Sequence, residues 1–288
     1  MAELLYGKPA ADTLTAETRR RADLLRDKGV MPKLVILRCG ENEADGAYIR
    51  GAMKRGGLCG VDVELRTLAE NVSADGLARV LEAVNSDNGI HGCLLLRPLP
   101  GHLKAMESKL CALLDPKKDV DGMTPVSAAG VFTGSGQGFP PCTAQACMAL
   151  LDYYHIDCAG KSAAVIGRSA VVGRPAAMLL LARNATVTVC HTGTKDVAAV
   201  TREADIIITA AGAAGSLTAA HVRPGQVVVD VSTNWNGVSL CGDAVFDDVS
   251  QIVEAITPVP GGVGAVTSAV LMAHTVRAAE YLTGEGGL

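Results

Sequence analysis

Aromatic residues are scarce in this chain, at 3% of the composition, with one Trp, five Tyr and three Phe. A β-sandwich core is therefore disfavoured. Abundant Gly and Ala suit closely packed helices and strands around backbone-lined clefts, which points to an alternating α/β fold. An excess of positive charge is also missing: the net charge is −4, and no basic cluster exceeds three residues. DNA and RNA are accordingly discounted as partners. No apolar run approaches the 18 or more residues of a membrane span. The N-terminal stretch MAELLYGKPAADTL is neither a charged-then-apolar signal peptide nor an Arg-rich transit sequence, so a cytoplasmic location and no membrane partner are expected. The nine cysteines include no CxxC and no Cys/His grouping at zinc spacing. They read as small, buried, reduced thiols, with Cys142 and Cys147 the only close pair, and no metal site is expected.

With 288 residues, 49% of them hydrophobic, the chain is long enough for two domains with a core each. A helical pattern ending at Gly29 leads into the strand KLVILRCG (33–40), a helix over 45–56, the strand VDVELRTL, the helix SADGLARVLEAVNSD and the strand GCLLLRPLP (92–100). This is the rhythm of a parallel sheet. From 115 to 145 the pattern dissolves into a stretch rich in Gly, Pro, Thr and Ser, which reads as a domain junction. A second series follows, with strands KSAAVIG, ATVTVCH, DIIITAAG and QVVVDVS, intervening helices, and the closing helix TSAVLMAHTVRAAEYLTG. The expected division is a substrate domain of 1–120 plus 268–288, a junction of 121–139, and a Rossmann-like domain of 140–267.

The sharpest local signal is VIGRSAVVGRP (165–175), a strand ending in Gly167, a turn, Gly173 and a proline placed to start a helix. Such glycines let the backbone approach a phosphate, and the helix N-terminus offers free N–H groups. The spacing is GxxxxxG rather than GxGxxG, so a plain tight turn is the competing reading. ATVTVCHTGT ends about 23 residues later, where a Rossmann unit presents its ribose-binding residues, and it carries no acidic residue. Arg168 in the first turn suits a 2′-phosphate, which favours NADP over NAD. ITPVPGGVGAVT (256–267) is a rigid loop that either cradles a nicotinamide or simply turns a corner. In DPKKDVDG (115–122), Asp121 suits the guanidine-like edge of a flat heterocycle, with a solvated DG turn as the alternative. In GAYIRGAMKRGG (46–57), the position one helical turn beyond Tyr48 is Ala52 rather than a lysine. Lys54 is turned away by about 120°.

Taken in order, a Tyr-bearing helix near 48, the PLP of Pro98 to Pro100, KDVDG, PCT, GRSxxVGRP, ATVTxCH and ITPVPGGVG resemble the bifunctional methylenetetrahydrofolate dehydrogenase/methenyltetrahydrofolate cyclohydrolase (FolD) family over essentially the full length. The resemblance implies a folate-side N-terminal domain, an NADP-binding C-terminal domain, a cleft between them and a homodimer. It makes Tyr48 and Asp121 the candidate catalytic residues, with Tyr48 bordering the pterin and Asp121 binding its amino and ring nitrogens. Gly167, Arg168, Ser169, Gly173 and Thr192 would hold the diphosphate and 2′-phosphate. Pro258, Gly261 and Gly262 would line the nicotinamide, and Pro98, Leu99, Pro260 and Val263 the folate.

The departures from the family pattern gather, on this reading, on the folate side. The family reads YxxxK and VQLPLP where this chain has Ala52 and LLRPLP, so Leu96 stands for the glutamine and Arg97 follows it. Asp45 replaces a serine, Ser127 and Gly130 an Asn and an Arg, Ser232 a glycine, and GGVGAVT the family GGVGPMT. Hydride transfer needs mainly two rings held face to face, whereas hydrolysis of a methenyl bridge needs water attack and proton movement. A dehydrogenase with weak or absent cyclohydrolase activity is therefore expected. Two cations are candidate substitutes for the lysine: Arg55, on the face of Tyr48 but about 10 Å further along the helix, and Arg97, which strand alternation should turn away from the face Leu96 occupies. Two alternatives stay open, namely an NADP-binding paralogue without folate catalysis and a dehydrogenase of another pterin or imine.

Overall fold

The structure, a computed structural model, describes residues 1–285, with the side chains of residues 43 and 44 excepted. The chain divides into two compact units, Asp12–Cys142 with Ser268–Leu288, and Met1–Ala11 with Thr143–Thr267.

The first unit is built on a three-stranded parallel sheet of order β3-β2-β4, with β2 at Lys33–Cys39, β3 at Asp62–Leu68 and β4 at Gly92–Leu95. Central β2 is a continuous apolar run because both of its faces are covered; Leu34, Val35, Ile36 and Leu37 are fully buried. Helix α3 (Ala74–Ser86) places Leu77, Leu81 and Val84 on one stripe against β2 and β4. Ser73 caps it by accepting the Gly76 N–H at 3.0 Å. At its other end the buried Lys118 ammonium donates to the carbonyls of Val84, Asn85 and Asp87 at 2.7–2.9 Å. Helix α2 (Glu43–Cys59) follows β2, as the sequence pattern implies.

The stretch read as a structureless junction holds a nine-residue helix, α5 (Pro125–Thr133), and the start of α6 (Cys142–Tyr153). Helix α5 has almost no amphipathic periodicity and was hidden for that reason. Its end signals are local: Thr124 accepts the Ser127 N–H, Pro125 occupies the first turn, and Gly134 closes it at φ +67°.

The second unit contains a six-stranded, all-parallel sheet of order β1-β11-β8-β7-β5-β6. The strands are β1 (Glu3–Leu4), β5 (Ser162–Ile166), β6 (Thr186–Cys190), β7 (Ile206–Thr209), β8 (Val227–Asp230) and β11 (Ala255–Ile256). A small antiparallel hairpin, β9 (Asn234–Trp235) and β10 (Leu240–Cys241), follows β8. The first eleven residues, grouped with the substrate domain in the sequence reading, supply β1, which pairs with β11. A two-residue strand carries no period, so only the pairing reveals it. Helix α7 (Gly173–Ala182) crosses from β5 to β6, while α8 (Val197–Glu203) leads from β6 to β7 on the opposite side of β5. The strand order therefore reverses at β5, the doubly wound arrangement that binds ligands at strand C-termini.

Candidate active site

In the three-stranded unit, α2 sets Tyr48 and Ala52 one turn apart on one face. Ala52 is fully buried. Burial raises the Tyr48 phenol above its ordinary value, reinforced by Cys142 and then Asp121. It is therefore a neutral hydroxyl at physiological pH.

Asp119 and Asp121 are separated by the fold into two roles. Asp119 is fully buried, accepting the N–H groups of Met123 and Thr124 and the Ser127 hydroxyl at 2.6–2.9 Å, which anchors the start of α5. Asp121 keeps most of its capacity: Oδ1 accepts the Cys142 N–H at 3.2 Å, and Oδ2 lies 4.0 Å from Arg97 Nη2. Burial raises its pKa, opposed by the hydrogen bonds from Cys142 and the charge of Arg97.

Arg97 lies beside Asp121 and does not line the cavity that Leu96 faces, so the two side chains part as strand alternation implies. Strand β4 ends at Leu95, and Leu96 makes the last ladder bond, donating to Leu37 O at 2.9 Å. Leu96, with Pro98 and Asp45, lines a cavity of about 480 Å³ bordered by Arg38 and Glu70. Leu99 is buried, and its N–H donates to Glu107 Oε2 at 2.8 Å. Arg55 is committed to helix α1 (Gly7–Asp27), donating to Thr15 Oγ1 at 2.9 Å and lying 3.6 Å from Asp12 Oδ1.

The departures at Ser127 and Gly130 have a common local cause. A Cβ on Gly130 would meet Gln137 O at 1.9 Å, and one on Gly138 would meet Ser127 Oγ at 2.3 Å. The glycine-rich loop 134–138 packs directly on α5, so the larger family side chains have no room.

Sequence reasoning missed the support beneath Asp121. His274, in helix α10 (Val263–Leu282), donates from Nδ1 to Val120 O at 2.9 Å, and the Cys142 thiol donates to the same oxygen at 3.2 Å. Burial pushes His274 down to about 4 and Cys142 well up. The two are a neutral imidazole and a thiol that brace the Asp121 loop, not an activated nucleophile pair. No motif flags a histidine inside an apolar helix 153 residues from Asp121; only the fold joins them.

In the six-stranded unit, Gly167 has φ +117°, and a Cβ there would lie 2.3 Å from Ala210 O. A Cβ on Gly173 would lie 2.2 Å from Gly167 O. Both positions need glycine, and together they leave a backbone-lined cradle at the ends of β5 and β7. Ser169 Oγ accepts the N–H groups of Val172 and Gly173 at 3.1 and 3.3 Å, shaping the turn into α7. Arg168 and Thr192 are exposed beside the ends of adjacent strands β5 and β6. Among the described residues Arg168 has no ion pair or hydrogen bond, so its guanidinium is available to an anion.

The loop after β11 is equally constrained. Thr257 Oγ1 accepts the Asp230 N–H at 2.7 Å, Gly7 donates to Gly261 O at 2.8 Å, and a Cβ on Gly7 would meet Gly262 O at 2.0 Å. Gly261 has φ +107°, Pro258 is half-buried, Pro260 is exposed, and Val263 is buried at the start of α10. Ser232 belongs to this unit, as do the altered 265–266 positions. Its hydroxyl accepts the Gly212 N–H at 3.1 Å and donates to Asp243 at 2.8 Å, tying together the loops after β7 and β8.

Among the described residues no cluster of His, Cys, Asp and Glu is arranged to hold a metal ion, and no helix is long and apolar enough to cross a membrane. All nine cysteines are free thiols, seven of them buried.

A doubly wound sheet with a glycine-lined turn, in one chain with a second α/β unit carrying a ligand-ready carboxylate, defines a two-domain dinucleotide-binding enzyme class. Comparison with known proteins narrows it. Residues 5–121 match the tetrahydrofolate dehydrogenase/cyclohydrolase catalytic domain and residues 141–283 the NAD(P)-binding domain of the same family. The bifunctional FolD protein of Carboxydothermus hydrogenoformans is 46% identical over 99% of each chain, and that of Clostridioides difficile 42% over 96% of each. The crystal structure of the bifunctional FolD of Campylobacter jejuni superposes with TM-score 0.93 at 38% identity, covering 98% of this chain and 99% of that one. The Trypanosoma brucei FolD, solved with NADP and an inhibitor, gives TM-score 0.90 at 32% identity, covering 97% and 98%. The chain belongs to the FolD family of methylenetetrahydrofolate dehydrogenase/cyclohydrolases, and strands β5 to β11 lie in its NAD(P)-binding domain.

Proposed function

We propose that this protein is an NADP-dependent 5,10-methylenetetrahydrofolate dehydrogenase of one-carbon metabolism whose cyclohydrolase step is weak or lost. The observation that carries the reading is Ala52, a buried methyl group one turn from Tyr48 where the family has lysine, with Leu96 where it has glutamine. Neither side chain can move a proton.

The bound NADP supplies the hydride acceptor. Toward it, the Gly167–Gly173 turn binds the diphosphate with backbone N–H groups, Arg168 and Thr192 take the 2′-phosphate, and the Pro258, Gly261 and Gly262 loop holds the nicotinamide. Toward the folate, Asp121 accepts the 2-amino and N3–H donors of the pterin, while Tyr48 borders the ring as a neutral phenol. Pro98, Leu99, Pro260 and Val263 give it apolar edges. The folate's own nitrogen lone pair expels the hydride, so this half-reaction asks the protein for orientation and exclusion of water, not for a base. Water attack on the methenyl carbon does require proton movement, and a missing general acid–base group costs roughly 10²- to 10⁴-fold. Arg55, held by Thr15 and Asp12, is unsuited to replace it.

The test is a paired assay on the purified protein. Methylenetetrahydrofolate with NADP should yield reduced cofactor, while methenyltetrahydrofolate should lose absorbance no faster than without protein. Accelerated hydrolysis would sink the monofunctional reading; activity in neither arm would favour an NADP-binding paralogue, or a dehydrogenase of another pterin or imine. The homodimer implied by the family is part of the proposal and is checked by sedimentation velocity.

A further inference from the structure

Arg97 is a departure from the family pattern that adds a positive charge on the folate side, in place of an apolar leucine. Its side chain is only 24% exposed, yet among the described residues its guanidinium makes no hydrogen bond. Among the described residues its one ion-pair partner is Asp121, whose Oδ2 lies at 4.0 Å, beyond hydrogen-bond range. A largely sheltered fork of five N–H donors beside a carboxylate, and unspent on it, is set for an acceptor that arrives with a ligand.

The ligand edge that suits the two groups together presents N–H donors to the carboxylate and, next to them, a carbonyl oxygen to the guanidinium. A 2-amino-4-oxo pyrimidine ring has that order: the 2-amino group and N3–H, then O4. We propose that Arg97 is a specificity-determining residue of the substrate side, donating to the pterin O4 while Asp121 accepts from the adjoining N–H pair. The assignment rests on the reading of Asp121 as the pterin-binding carboxylate. Arg97 thereby returns a positive charge to a site that Ala52 leaves without one. It does not return the lysine's chemistry, because a guanidinium stays protonated throughout the physiological range and cannot relay a proton. Tight, oxo-selective folate binding and poor methenyl hydrolysis are then compatible in one site.

Calorimetric titration of wild type, R97L, R97K and D121N with tetrahydrofolate, with its 4-amino counterpart tetrahydroaminopterin, and with NADP tests this. R97L should weaken tetrahydrofolate roughly 10- to 100-fold, the range for one hydrogen bond to a charged group, and should change tetrahydroaminopterin little, narrowing the oxo/amino preference by the same factor. R97K, a point charge without the fork, should fall between. D121N should lose affinity for both pterins, and NADP binding should be unchanged in every variant, which reports retained folding. An oxo/amino ratio equal in wild type and R97L would overturn the role of Arg97 while leaving the folate reading intact. Wild type that binds NADP but neither pterin would overturn the folate reading and this inference with it.

Discussion

A single methyl group at position 52 carries most of the functional argument, because it sits where a proton carrier would be needed and is fully buried. Restoring the lysine alone should be costly, since it takes an ammonium out of water at a fully buried position. A52K is expected to lower the melting temperature by several degrees and recover little activity. A52K/L96Q, which supplies the lysine's tuning amide, should raise methenyltetrahydrofolate hydrolysis by roughly 10²-fold over wild type; absorbance decay checks it, and a double variant no better than wild type would count against the reading. On the cofactor unit, R168A should weaken NADP roughly tenfold or more while leaving NAD nearly unchanged. Fluorescence titration with both cofactors measures this, and equal losses would remove Arg168 from the 2′-phosphate site.

Helix ends and turns account for the next level. The turn into α7 works because a backbone carbonyl occupies the space of the Gly173 side chain. G173A forces Cβ against Gly167 O, so the turn must open: NADP binding should fall at least tenfold and stability by about 1–3 kcal/mol, read by cofactor titration and urea denaturation. The lysine pair in DPKKDVDG shows the opposite case, a conspicuous motif with an architectural use. Lys118 is the C-terminal cap of α3, closing three carbonyls and fixing the approach to Asp119 and Asp121. K118M should cost about 2–3 kcal/mol in urea melts, with NADP affinity unchanged.

At the scale of the molecule, the two units carry buried titrating groups with opposite signs. His274, in the three-stranded unit, falls from 6.5 to about 4, so its contribution is complete above pH 6.5 and is lost as the pH falls toward 4. Asp230, in the six-stranded unit, rises from 3.8 to about 6, chiefly through burial, so its contribution is complete below pH 3.8 and is lost as the pH rises through 6. Each amounts to roughly 3 kcal/mol, and the two oppose one another between pH 4 and 6. Urea denaturation across that interval should show stability rising with pH in D230N and falling with pH in H274Q. Parallel slopes in the two variants would contradict the assignments.

The sequence by itself determined the α/β class, the order of most strands and helices, the glycine turn after β5 and the positions at which this chain leaves its family. Those features are written in local periodicity, in glycine spacing and in short motifs, none of which needs a distant partner. Tertiary structure alone decided the rest. Strand β1 exists only because β11 lies beside it, and α5 lacked the amphipathic stripe that would have announced it. Asp119 and Asp121, two residues apart, were indistinguishable until their hydrogen bonds committed one to α5 and left the other open. Alternation parted Arg97 from Leu96, but only the fold put Asp121 on the side Arg97 faces, and His274 joined the site across 153 residues of chain. Contacts between remote segments depend on packing that no window of sequence contains.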